Sequence, residues 1–199
     1  MNEDDIELIE LLHDALDPNT DQFALQFLLH VRDERLKRLI KQVWQRLPFC
    51  DRVVLWELML DMSDGDSGEP ESTLASARAI DPSAPWSGNV AQIAENTYWS
   101  VSLHRAKDIK SDAACMYVIA HEFAHVVLRH TQISLAAGYL LGFEPPIYTE
   151  TDLDTLTQWH EEEADLQAWV WGFQDELKAF LEECPEARRS RWYVEITHY

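Results

Sequence analysis

The chain has 199 residues, enough for one ordinary domain that buries its own core without staples. Thirty-six acids against sixteen bases leave a formal charge of −20, which repels phosphate backbones, argues against direct nucleic-acid binding and favours solubility or attraction of basic protein segments. Cys50, Cys115 and Cys184 are odd in number and widely spaced with no CxxC pair, so they read as reduced thiols in a cytoplasmic protein and not as a disulfide scaffold.

The opening "MNEDDIELIELLHD" is acidic and amphipathic, unlike the basic-then-apolar pattern of a signal peptide. Ile6, Ile9, Leu12 and Leu16 recur at helical spacing, as do Leu25, Leu28, Leu29 and Val31, so residues 3–47 predict two or three helices. They define an N-terminal helical region, 1–48, either preceding a domain over 49–199 or forming one compact unit with it. Pro48 breaks the helical pattern, and "RVVLWELMLDM" fits a buried strand or a short helix equally well. "SDGDSGEPES" reads as an exposed loop or hairpin end.

"TLASARAI" and "TYWSVSLHRA" have the alternation of strands, separated by the turn-rich "DPSAPWSGN", and predict a small sheet. Ser111 or Asp112 can cap the next helix, which runs to about His130. "ISLAAGYLLGF" predicts a further helix, in the core or as a lid or pocket wall, stopped by Gly142, Pro145 and Pro146. Asp152 or Asp154 then starts a long helix reaching about Leu181. The most apolar segment, Ala113 to Leu128, is interrupted by charge and falls short of the ~20 residues of a membrane span.

That segment carries the chemistry. In "YVIAHEFAHVVLRH" two imidazoles and a carboxylate sit among apolar neighbours on every side, an expensive arrangement unless each group has a partner. On a helix His121 and His125 stand about 40° apart around the axis and one turn apart along it, so both rings can face one ion. Glu122 lies about 100° round, beside that ion, where it can take a proton from water. His130 falls about 180° from His121 and so should not share the ion.

A catalytic zinc commonly takes three protein ligands. The third is sought in "QWHEEEADLQAWVWGF", where Glu161, Ala164, Asp165, Ala168 and Gly172 form a narrow face able to approach another helix closely. Leu166, Val170, Phe173, Leu177 and Phe180 form a second, bulky face for the core. Glu162 and Glu163 read as solvated charge, with Glu162 the reserve ligand.

HEFAH followed by EEEAD resembles the gluzincin metallopeptidases, most closely their compact ImmA/IrrE-like and minimal members. The resemblance covers roughly residues 97–181 and implies an α+β, zincin-like fold with a small mixed sheet, a central HExxH helix and a later glutamate helix. It implies zinc held by His121, His125 and Glu161, with Asp165 orienting His121 through its other ring nitrogen. The implied activity is hydrolysis of peptide bonds in a restricted protein or peptide substrate, through a metal-activated water with Glu122 as general base. The family's cleft-bordering strand has its counterpart in "TYWSVSLHRA", making His104 a cleft-edge candidate. Tyr139, Tyr148, His160 and His198 are candidate oxyanion donors. Two other readings compete: a non-catalytic interaction or regulatory module on the same scaffold, and a small-peptide aminopeptidase.

Overall fold

Two capping side chains start the helices on which the site depends. The computed structural model describes residues 16–65, 75–80, 98–130, 133 and 149–185. A short helix α1, Asp21–Phe23, runs into a π-helical stretch, Ala24–Leu28. In α2, Glu34–Arg46, Asp33 is the cap and accepts from the amides of Arg35 and Leu36 at 2.7 and 3.2 Å. Its inner face, Leu36, Leu39, Ile40, Val43 and Trp44, is buried, and Trp44 meets Phe23 edge-on with ring centroids 5.0 Å apart.

The ambiguous run after Pro48 proves to be both alternatives in succession. Pro48 caps α3, Phe49–Leu58, where its missing amide costs nothing, and the chain then extends directly into β1, Met59–Ser63. Strands β2, Ser76–Ile80, and β3, Tyr98–Ser102, complete a sheet of order β1-β3-β2. The pairing is parallel between β1 and β3 and antiparallel between β2 and β3, so the sheet is mixed and the fold α+β. Because β3 is the middle strand, β1 and β2 already occupy both of its hydrogen-bonding edges. The expected cleft-bordering role therefore does not fit "TYWSVSLHRA".

Ser111 caps α4, Asp112–Val127, accepting from the amide of Ala114. Arg35 clamps α2 to this cap, bonding Asp112 at 2.6 Å and the carbonyls of Ile109 and Lys110 at 2.6 and 2.9 Å. Cys115, Ile119, Ala120, Phe123, Ala124 and Val126 are buried around α4, which is accordingly the central helix. Residues on both sides of position 48, Trp44 and Val43 with Leu55, Met62, Trp99 and Phe123, belong to one continuous core.

The long helix expected up to Leu181 is two helices. Thr149, in a capping box with Asp152, starts α5, Glu150–Val170. Gly172 then takes the left-handed conformation at φ 88° and α6, Gln174–Glu183, follows. The narrow face of α5 is buried at Ala164, Asp165 and Ala168, as its small residues predict. The bulky face is not continuous: Phe173 and Leu177 are buried, but Leu166 and Val170 are 48% and 69% exposed. The turn at Gly172 re-aims the chain, so a face drawn through one uninterrupted helix does not survive it.

Ala168→Leu should lower stability by about 1–3 kcal/mol, because three added carbons meet a packed core. Thermal unfolding measures it, and an unchanged midpoint would contradict the burial of Ala168. Residues 3–15, most of "SDGDSGEPES", "DPSAPWSGN" and, Ile133 apart, "ISLAAGYLLGF" lie outside the described residues. Among the described residues no helix is long and apolar enough to cross a membrane.

Candidate metal centre

The buried run of α4 and the narrow face of α5 bring His121, His125 and Glu161 into one group whose ligand atoms all lie within 4.8 Å of one another. The two Nε2 atoms are 3.0 Å apart, and the Glu161 carboxylate oxygens stand 3.3 Å from His121 Nε2 and 3.6 Å from His125 Nε2. Zinc bonds of ~2.0–2.1 Å at the tetrahedral angle place neighbouring ligand atoms about 3.3 Å apart. The three separations centre on that value, and two nitrogens with one carboxylate are a donor set suited to zinc.

Each ring is held from behind. His121 Nδ1 lies 2.8 Å from Asp165 Oδ1, and the hydroxyl of Tyr117 donates to the same oxygen. Tyr117, His121 and His125 follow one another at intervals of four along α4, a stripe visible in the sequence once the motif is placed. Nothing in the sequence reading singled out Tyr117.

His125 is held by His130, with the two Nδ1 atoms 2.9 Å apart. This corrects the expectation that His130 lies on the opposite side. The helix stops at Val127, Arg129 adopts a left-handed φ of 59°, and the reversal returns His130 to the face it was expected to leave. His130 Nε2 in turn lies 3.2 Å from Glu163 Oε2, and the His160 ring stacks on His130 with centroids 4.3 Å apart and planes 5° apart. Glu163, read from sequence as solvated charge, thus has a partner in this network, and His160 packs behind the centre. Glu162 is paired with Gln158 at 3.1 Å and is outside the three-residue group.

Glu122 is buried, and the backbone amide of Ala77 on β2 donates to its carboxylate. Strand β2 therefore runs beside the centre in the place expected of the later strand. Burial pushes the Glu122 carboxyl up to about 7, with the Glu161 charge adding to burial and His121 and the Ala77 amide opposing it. Partial desolvation would raise Glu161, whose side chain is still 51% exposed, but its hydrogen bond with His121 and the charge on that ring outweigh it and hold the carboxyl down to about 2. Burial pushes His125 well below the usual histidine range and His130 to about 3. His104 is buried with its Nδ1 3.5 Å from the Ser102 hydroxyl. Tyr139, Tyr148 and His198 lie outside the described residues.

His121 behaves oppositely. Burial would lower it, yet the charge and hydrogen bond of Asp165, with Glu161, lift it well above the ordinary value. The metal-free protein then carries a proton on His121 that a bound cation must displace, so zinc affinity should rise with pH below the raised pKa of that ring. Calorimetry in buffers of different ionisation enthalpy should show about one proton released per ion. Affinity indifferent to pH would contradict this.

No protein-family model, curated protein or solved structure matches the chain, and the centre is read from its own donor atoms.

Proposed function

We propose that the protein is a zinc-dependent metallopeptidase of the gluzincin type, cutting peptide bonds in a restricted protein substrate in the cytoplasm. The observation that carries this reading is the triangle formed by His121, His125 and Glu161, with Glu122 on the next position of the same helix. Bound zinc supplies Lewis-acid polarisation of a carbonyl and lowers the pKa of water toward ~7.

The chain's own part is proton handling and orientation. Glu122, next to His121 in sequence and raised by burial toward the working range, accepts a proton from the attacking water and hands it to the leaving amine. Asp165 fixes the tautomer of His121 by accepting from Nδ1, which leaves Nε2 free to ligate. A thiol mechanism has no support at Cys115: it is buried, and burial pushes its thiol up to about 11. The net charge of −20 suits a substrate with basic segments.

The test is a comparison of new protein termini in cells producing the wild type or Glu122→Gln. A small set of termini present only with the wild type supports the proposal. Identical sets would reject proteolysis and leave a binding role.

A further inference from the structure

The second ligand histidine is supported by a histidine–carboxylate pair where the first is supported by a carboxylate. We infer that His130 is a positioning residue that fixes the tautomer and ring orientation of His125, with Glu163 completing the relay. The inference rests on the metal-centre reading, since that reading sets the direction of every hydrogen bond in the chain.

The Nε2 of His125 faces His121 Nε2 at 3.0 Å and Glu161 at 3.6 Å, the side on which an ion is held. A neutral imidazole that ligates through Nε2 carries its proton on Nδ1. That Nδ1–H donates to His130 Nδ1 at 2.9 Å, so His130 must be unprotonated there and hold its own proton on Nε2. From Nε2 it donates to Glu163 Oε2 at 3.2 Å. The order is therefore ion, His125, His130, Glu163, and reversing any one bond would place a proton on the nitrogen that ligates.

Three features hold His130 in register. It is 2% exposed, the His160 ring lies parallel on it at 4.3 Å, and Arg129 holds a left-handed backbone that no glycine relieves. The relay differs from the Asp165 support of His121 in presenting a neutral acceptor to the ligand ring. Its effect is orientation, with the Glu163 charge one ring removed.

The experiment compares His130→Leu with His130→Asn. Leucine fills the space and cannot accept, whereas the asparagine Oδ1 sits as many bonds from the backbone as histidine Nδ1 and can accept from His125. Zinc affinity by chelator competition should fall about 10–100-fold in His130→Leu and return to within about threefold of wild type in His130→Asn. The visible spectrum of the cobalt-substituted protein should change in the leucine variant and be restored in the asparagine variant. In the zinc-loaded wild type, imidazole nitrogen NMR should find His125 protonated at Nδ1, His130 unprotonated at Nδ1, and a scalar coupling across the bond joining them.

Equal zinc affinities in wild type and His130→Leu, or a proton found on His130 Nδ1, overturns the assignment even if the leucine variant is poorly folded. A wild type that takes up no zinc overturns the metal centre itself, which is a separate result.

Discussion

His121→Ala, His125→Ala and Glu161→Ala are each expected to leave the purified protein with far less than one zinc per chain. Loss of a supporting partner behind a ligand costs ~10–100-fold in affinity, and loss of the ligand itself costs more. The expectation is sharpest for Glu161, because it tests whether α5 belongs to the site. Its oxygens are 3.3 and 3.6 Å from the two imidazole nitrogens, whereas Glu162, one position on, pairs with Gln158. Glu162→Ala should therefore keep its zinc. Metal analysis with a melting curve on each variant separates lost ligation from lost folding, and zinc retained in Glu161→Ala but lost in Glu162→Ala would reassign the third ligand.

Glu122→Gln should retain zinc and lose hydrolysis by ~10²–10⁴-fold, the usual contribution of a positioned acid–base group. The substitution keeps size and shape, and the amide oxygen can still accept from Ala77, so packing is preserved. A glutamine cannot take up or deliver the proton. The loss corresponds to about 3–5 kcal/mol of transition-state stabilisation. Single-turnover cleavage of an identified substrate is the measurement, and wild-type rates in Glu122→Gln would remove it from the chemistry.

The clustering of His121, His125 and Glu161 was largely legible from spacing because the residues come in local pairs. His121 and His125 are four apart on a helix whose apolar surroundings argued against a solvated reading, and Ala164 and Ala168 marked the side of α5 able to approach it. Support from behind was legible only in part. Asp165 shares the periodicity of its helix, but His130 lies past a helix end set by Arg129, a non-glycine residue in the left-handed region that sequence preference does not signal. An angle computed along an uninterrupted helix put it on the wrong face. The same error, in the other direction, placed Leu166 and Val170 in the core by continuing α5 through Gly172. The order of the sheet was not legible at all, since strand pairing is a long-range choice that alternation along one strand cannot fix. That choice put β2, not β3, against Glu122.

Anomalous diffraction at the zinc edge, from crystals of the wild-type protein grown with one equivalent of zinc, locates the ion and its ligands in one map. One peak is expected, bonded to His121 Nε2, His125 Nε2 and a Glu161 carboxylate oxygen at ~2.0–2.2 Å. A peak elsewhere, or one bonded to the two histidines with Glu161 turned away, would contradict it.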